Sequence, residues 1–93
     1  MILSFACDET ARIFSGRVSR QFPPDIQATA RRKLHMLHQS RVLTDLRNPP
    51  GNRLESLKGS RAGQCSIRIN QQWRLCFRWH DDHAHDVAIT DYH

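Results

Sequence analysis

Two neighbouring segments near the C-terminal end of the chain constrain its fold most strongly. In each of them an apolar side chain occupies every second position. These positions are Cys65, Ile67 and Ile69 in the first segment and Trp73, Leu75, Phe77 and Trp79 in the second. A period of two is typical of β-strands with one buried face. The sequence therefore predicts an antiparallel hairpin whose turn lies at residues 70–72.

The length of this turn decides which side chains share a face of the sheet. A two-residue turn would place Arg68 on the apolar face beside Leu75 and bury its charge. A three-residue turn over residues 70–72 instead pairs Ile67 with Leu75 and keeps the apolar residues together. We predict this second register, which also sets Arg68 directly opposite Arg74 on the uncovered face.

Arg68 and Arg74 are like charges on facing positions of the predicted hairpin. Such a pair costs from a few tenths of a kcal/mol to about 1 kcal/mol. A bound anion would reverse the sign, and guanidinium groups bind phosphate with paired hydrogen bonds. The alternative is that both arginines are solvated and splay apart. The residues alone leave both interpretations open.

The N-terminal half predicts one short strand and two helices. Residues 1–5 are typical of a buried strand, Asp8 of an N-cap, and Gly16 of a helix end. Residues 23–25, Pro-Pro-Asp, predict the start of the second helix. Its apolar stripe comprises Ile26, Ala30, Leu34 and Leu37, and its basic outer face comprises Arg31, Arg32, Lys33, His35 and His38.

The remaining segments complete a single small fold. A short packed turn is expected at residues 42–46, and a short or irregular strand at residues 53–57 leads into the turn 58–63. The segment 80–83, His-Asp-Asp-His, predicts another turn before a last strand over residues 84–90. With 93 residues, the chain suits one domain, residues 1–93. We predict an α+β fold with the helices covering the apolar face of the sheet.

Charge and cysteine content limit the classes of function. Lys and Arg number 14 against 9 for Asp and Glu, a formal charge of +5. This excess favours an anionic partner, most commonly a nucleic acid. The odd number of cysteines without a CxxC pair disfavours zinc and disulfides. No stretch is long enough to span a bilayer, so we expect a cytoplasmic protein with no membrane partner.

The segment 80–86, His-Asp-Asp-His-Ala-His-Asp, contains residue types that can bind zinc or nickel. A polar hairpin loop explains the same residues, and no distant residue evidently completes a tetrahedral site. We therefore predict neither a metal site nor a cofactor.

The chain closes with Asp91, Tyr92 and His93, three groups that can hold or move protons, directly after the last predicted strand. Lys58 and Arg61 add positive charge in the turn before the hairpin. Phosphodiester cleavage needs a cationic cradle for the phosphorane, a base for the attacking hydroxyl and an acid for the leaving oxygen. With RNA as substrate, the 2′-hydroxyl can serve as nucleophile without a metal.

The segments LKG (57–59), SIRINQQWRLCF (66–77) and DYH (91–93), in this order, resemble the HigB branch of the RelE-like toxins of bacterial toxin–antitoxin pairs. The resemblance covers essentially the whole chain. It implies the small RelE-like fold, with two N-terminal helices on one face of a mainly antiparallel sheet. It also implies a toxin that enters the A site of the 70S ribosome and cleaves mRNA during translation. A cognate HigA-type helix-turn-helix antitoxin would neutralise it.

The resemblance further implies roles for individual residues. Lys58 and Arg74 match the phosphate-facing cations of the family, and Arg74 is the leading catalytic candidate. Asp91, Tyr92 and His93 match its terminal catalytic groups, with His93 as general acid or base and Tyr92 as a stacking or hydrogen-bonding partner. The further candidates for binding RNA or phosphate are Arg61, Arg68, Asn70 and Arg78.

The chain departs from the family pattern at three positions. Glu55 stands where some members have an active-site histidine, and it is a weak candidate for a base. Asn70 stands where some have an arginine, so Arg68 is a partial substitute if its strand lets it reach. Cys65 replaces a common aromatic residue. These differences bear on turnover and codon preference more than on the reaction class.

Two other classes of function fit the same residues. A non-catalytic nucleic-acid-binding module is supported by the basic helix. A degenerate toxin that only binds its antitoxin is supported by the changes at Glu55 and Asn70. Loss of the terminal residues 91–93 separates these classes, because binding through Lys and Arg should survive it and catalysis should not.

Overall fold

The computed structural model describes residues 1–91, apart from the side chain of Arg61. The helices are α1 (Asp8–Phe14) and α2 (Pro24–Gln39), and the strands are β1 (Glu55–Ser56), β2 (Gln64–Arg68), β3 (Trp73–His80) and β4 (His83–Asp91). Short 3₁₀ turns occupy Leu43–Arg47, Pro50–Asn52 and Gly59–Arg61. Within the described part of the chain, the strands form one antiparallel sheet in the order β1-β2-β3-β4. The α+β prediction is thus confirmed.

The hairpin of β2 and β3 has the predicted register. Ile67 lies opposite Leu75 and Arg68 opposite Arg74. The turn covers residues 70–72, as the three-residue alternative requires. This register keeps one face of both strands apolar and leaves the arginines on the other face.

The turn between β3 and β4 is also the one predicted. His80 pairs with His83, and Asp81 and Asp82 between them have φ values of 50° and 60°. Two successive left-handed residues are the backbone of a tight two-residue hairpin turn, in which aspartate is tolerated. A hairpin turn therefore accounts for the acidic pair.

The N-terminal segment lies along the outer edge of β4. Ile2 and Phe5 form isolated parallel bridges with Ala84 and Val87, so this predicted strand is two contacts rather than a continuous element. The backbone N–H of Leu3 donates to the Ala84 carbonyl at 2.9 Å. This pairing occupies the backbone of β4 on the side away from β3.

The helix starts and ends follow local backbone chemistry. Cys7, not Asp8, is the N-cap of α1, and Asp8 lies in the first helical turn. An aspartate there is still favourable, because its charge faces the positive end of the helix dipole. Gly16 follows the helix with φ of +91°, the left-handed backbone that ends many helices. Pro24 begins α2 as predicted, since a first-turn proline loses no helical hydrogen bond.

The core lies between the helices and one face of the sheet. Fully buried side chains there include Ile13, Leu34, Leu37, Ile67, Leu75, Phe77 and Val87. The outer face of α2 is less basic than predicted, because Lys33 is only 6% exposed. Its ammonium group instead donates a hydrogen bond to the Asn52 side-chain oxygen. His38 also leaves that face, since its Nδ1 accepts the Ile2 backbone N–H at 3.1 Å.

Candidate functional site

Three of the cations predicted for the site, Arg68, Arg74 and Arg78, lie on the sheet face turned away from the helices. Strand alternation turns every second side chain of β1, β2 and β3 toward this surface, Gln64 and the buried Cys76 among them, and we call five of the others the arginine face. Its members are Glu55, Ser66, Arg68, Arg74 and Arg78. Glu55 is paired with Ser66, and Arg68 with Arg74, so the charged groups occupy adjoining rungs of the ladder.

Arg74 is held firmly within the arginine face. Its Nε donates to the Ser66 hydroxyl at 2.8 Å, and its Nη2 donates to the Arg53 carbonyl at 2.6 Å and to the Ser66 carbonyl at 3.3 Å. Only 8% of the residue is exposed. The expectation that Arg74 stands open to solvent is therefore wrong, because neighbouring oxygens draw its guanidinium flat against the sheet.

Glu55 adds a carboxylate beside this cation. Its Oε2 lies 3.9 Å from Nη2 of Arg74, and its side chain is 54% exposed. A half-exposed ion pair contributes little to stability. Its chemical consequence is that an acceptor for a proton sits next to a fixed positive charge, at the position where some family members carry a histidine.

Arg68 is held by different partners from Arg74. Its Nε donates to the carbonyl of Asn70 at 3.1 Å, within the hairpin turn, and the residue is partly exposed. Arg74 is drawn the other way, toward β1. The two like charges therefore satisfy their hydrogen bonds apart from each other, which reduces the cost of facing them across the hairpin.

Asn70 has a clear structural role in the turn. Its Oδ1 accepts the backbone N–H groups of Gln72 and Trp73, both at 2.8 Å. This pattern is an asparagine-closed turn, in which the side chain stands in for a backbone acceptor. The sequence predicts Asn70 as a turn residue and a phosphate ligand, but does not indicate that its side chain closes the turn.

The other predicted cations lie around the arginine face. Lys58 is exposed and precedes the turn Gly59–Arg61, and the side chain of Arg61 is outside the description. Arg78 is half-exposed and its Nε lies 3.6 Å from Asp86. Asp86 has φ of 53°, at an irregularity in the pairing of β3 with β4. Lys58 and Arg78 are thus available to solvent, unlike Arg74.

The terminal residues are only partly described. Asp91 pairs with Trp73, and its carboxylate accepts a hydrogen bond from the Gln72 side chain at 3.2 Å. Because facing residues project from the same side, Asp91 shares the helix side of the sheet with Trp73, whose ring packs edge-on against Phe22. The arginine face is on the other side. The predicted roles of Tyr92 and His93 lie outside the described residues.

Several residues that shape the site were not singled out from the sequence. The Ser66 hydroxyl and the Arg53 carbonyl accept hydrogen bonds from Arg74. The sequence indicates this only by placing a serine at a polar position of the alternating strand. Cys65, in contrast, belongs to the core: burial raises the pKa of its thiol, and a hydrogen bond with Ser56 acts in the opposite direction. Cys65 is therefore a protonated core residue at neutral pH.

The described residues contain neither a metal-binding cluster nor a helix suited to a membrane. Within residues 1–91, no group of three His, Cys, Asp or Glu side chains has an arrangement that could hold a metal ion. Neither helix in that range has the length and apolar character needed to cross a bilayer.

Comparison with known proteins places this geometry in a family. Residues 3–93 match the family model of HigB, a RelE-like toxin of a type II toxin–antitoxin system. The chain is 48% identical over 73 residues to Toxin HigB-1 of Vibrio cholerae serotype O1, covering 78% of this chain and 73% of that protein. It is also 32% identical over 74 residues to an uncharacterized protein of Haemophilus influenzae, covering 80% and 73%.

A solved structure supports the same fold. The chain is similar to a chain of the YoeB–YefM complex from Staphylococcus aureus, with a TM-score of 0.62, 18% identity, and coverage of 100% of this chain and 98% of that one. This identity is low, so the likeness concerns the fold alone. The family match extends over both helices and the whole described sheet. The chain belongs to the HigB family of RelE-like toxins of type II toxin–antitoxin systems.

Proposed function

We propose that this toxin is a ribosome-dependent, metal-independent endoribonuclease that cleaves mRNA in the ribosomal A site, in the cytoplasm, and so inhibits translation. The observation that carries the proposal is the fixed guanidinium of Arg74 on the arginine face, at the position of a family phosphate-binding cation. A cation that is already oriented stabilises a developing phosphorane without reorganising during the reaction.

The proposed reaction is an internal transfer of the phosphoryl group, in which this chain supplies the base, the acid and the cations. The 2′-oxygen of a nucleotide attacks the adjacent phosphorus while a base takes its proton. The bond from phosphorus to the 5′-oxygen of the next nucleotide then breaks, and an acid donates a proton to that oxygen. The products are a 2′,3′-cyclic phosphate and a 5′-hydroxyl. Arg74, with Lys58 and Arg68, would neutralise the charge on the non-bridging oxygens.

The proton carriers are proposed from the terminus and from β1. His93 is the proposed general acid or base, with Tyr92 as its stacking or hydrogen-bonding partner to the RNA. Asp91 projects from the helix side, which favours a supporting role over contact with the phosphate. Glu55, beside Arg74, is better placed than Asp91 to accept a proton. The further RNA contacts proposed are Arg61, Asn70 and Arg78.

Primer extension on a translated mRNA tests this proposal. The full chain, without a tag after His93, is compared with a chain stopped after Tyr92 and with Glu55→Gln in a ribosome-containing reaction. We expect new 5′ ends with the full chain that require translating ribosomes and fall by orders of magnitude in the truncation. Equal cleavage by the truncated chain would contradict the role of His93.

An antitoxin is the second proposed partner. The family, and the toxin–antitoxin complex among similar folds, support a cognate HigA-type protein that neutralises the toxin. A toxin that only binds this antitoxin is the second candidate function. It is favoured because the side-chain oxygen of Asn70 already accepts two hydrogen bonds within the turn. Stable complex formation without cleavage or growth arrest would identify that case, and binding of RNA alone would identify a non-catalytic module.

A further inference from the structure

A buried lysine lies behind the arginine face. Lys33 is 6% exposed on the inner side of α2, and no ion pair joins it to a carboxylate among the residues that the structure describes. Burial and the neighbouring Arg32 lower the pKa of Lys33. A buried charge without an opposite charge lowers stability. Positions that break the rules of packing are often functional.

The partner of Lys33 is Asn52, which is completely buried. Its Oδ1 accepts the Lys33 ammonium, while its Nδ2 donates to the carbonyls of Leu46 at 3.1 Å and Asn48 at 3.4 Å. Nδ2 also contacts the sulfur of Met36 at 3.1 Å. One amide thus fastens the irregular segment 46–52 to the inner side of α2.

Arg53, the residue after Asn52, connects the Lys33–Asn52 hydrogen bond to Arg74. Arg53 has φ 46° and ψ 57°, the left-handed region, which few residues other than glycine adopt unless their surroundings fix them. Its N–H donates to the Pro50 carbonyl at 3.1 Å, and its own carbonyl accepts Nη2 of Arg74 at 2.6 Å. The direction of that carbonyl therefore depends on how Asn52 is held.

We propose that Lys33 and Asn52 are positioning residues for Arg74: together they fix the Arg53 carbonyl, which orients the guanidinium toward the phosphate. The catalytic consequence rests on the proposed function of Arg74, whereas the structural link does not. Neither residue lies on the arginine face, and they act through the backbone of Arg53.

The chain of contacts from Lys33 through Asn52 and the Arg53 carbonyl to Arg74, which we call the link, is tested first by a measurement that does not depend on catalysis. Hydrogen exchange of the Arg74 Nε–H is measured by NMR in the wild type, the signal being assigned by its loss in Arg74→Lys. Lys33→Met removes the donor to Asn52, and Asn52→Asp keeps that contact but loses the donors to Leu46 and Asn48. The two variants interrupt the link at different points, so either one decides the test if the other does not fold.

Faster exchange of the Arg74 Nε–H is expected in these variants, with the spectrum otherwise like that of the wild type. Ile13→Val is the control, because it removes one buried methylene from α1, a helix that contributes no residue to the link. Unchanged exchange in Lys33→Met and Asn52→Asp would overturn the proposal. So would an equal acceleration in Ile13→Val, since general loosening would then explain the effect.

Single-turnover cleavage on ribosomes stalled on an mRNA then tests the consequence. We expect the maximal rate to fall roughly 10- to 100-fold in Lys33→Met, with little change in the toxin concentration that gives half of that rate. In an Arg74→Lys background the same substitution should have little further effect. Additive losses would overturn the catalytic role of the link. Wild-type rates in Arg74→Ala would instead refute the proposed function and leave the exchange result standing.

Discussion

Arg74 donates hydrogen bonds to Ser66 and Arg53 from a side chain that is almost entirely buried. We therefore expect Arg74→Ala to lose stability as well as cleavage. Leaving the Arg53 carbonyl and the Ser66 hydroxyl without this donor costs about 1–3 kcal/mol. Chemical denaturation gives the free energy of unfolding, and primer extension gives the cleavage.

Arg74→Lys separates these two effects. A lysine keeps the charge on a single nitrogen but lacks the fork of nitrogens that reaches Ser66 and Arg53 together. We expect its stability to lie between those of the wild type and Arg74→Ala, while cleavage falls nearly as far as in Arg74→Ala. An Arg74→Lys variant that cleaves like the wild type would show that positive charge alone is sufficient.

Lys33 predicts a pH dependence of stability. Burial lowers its pKa in the folded protein below the ordinary value of 10.5, so the unfolded chain binds more protons between the two values. Stability must then rise with pH across that interval. We expect the unfolding free energy of Lys33→Met, measured relative to that of the wild type, to be highest at neutral pH and to decrease as pH approaches 10.5.

Denaturant titrations of both proteins at several pH values measure this difference. Taking the difference cancels the other titrating groups. A constant difference from neutral pH upward would show that Lys33 ionises equally easily in the folded and unfolded chains. The opposite sign, with Lys33→Met gaining ground at high pH, would contradict the direction of the pKa shift.

The β2–β3 hairpin is the element in which sequence and structure agree most closely. The alternation of apolar residues has only one register that avoids burying Arg68, so the turn length followed from it. Where the alternation is weaker, the sequence predicts less. Residues 53–57 predict a short or irregular strand but not its bounds, Glu55–Ser56, because the pairing of β1 depends on β2 and not on its own pattern.

The surroundings of Arg74 and Lys33 could not be predicted for a related reason. The sequence indicates which face of an element a residue occupies, but not whether another segment covers that face. The irregular segment 46–53 supplies the partners of both side chains, and no periodicity predicts where such a segment lies. The sequence motifs indicated the family and which cations share a face of the sheet. The hydrogen bonds that orient these cations are seen only in the structure.

The hairpin turn yields a prediction about Asn70. Asn70→Ala should lower stability by about 0.5–1.5 kcal/mol, because the N–H groups of Gln72 and Trp73 lose their acceptor. Asn70→Asp keeps an acceptor and should retain the stability while adding a negative charge near Arg68. If Asn70 faces phosphate, Asn70→Asp should cleave RNA more slowly than Asn70→Ala, although it is the more stable of the two. Thermal melting and primer extension on both variants provide the comparison.

Across the whole molecule, each face of the sheet has its own task. The helices cover one face and form the core, and the arginine face carries the charges proposed to meet RNA. The outer edge of β4 is paired with the N-terminal segment. An unpaired strand edge is a site of association between chains, so this segment contributes to keeping the sheet from pairing with a second copy.

Leu3 offers a direct test of that protection. Leu3 is 54% exposed, while its backbone N–H donates to the Ala84 carbonyl on β4. Leu3→Pro removes this donor and should loosen the segment, lowering the melting temperature and promoting association. Leu3→Ala keeps the donor and removes a similar amount of apolar surface, so it should remain like the wild type. Light scattering across a range of concentrations measures the association. If Leu3→Pro had a lower melting temperature but associated no more than Leu3→Ala, the segment would stabilise the fold without preventing association at the edge of β4.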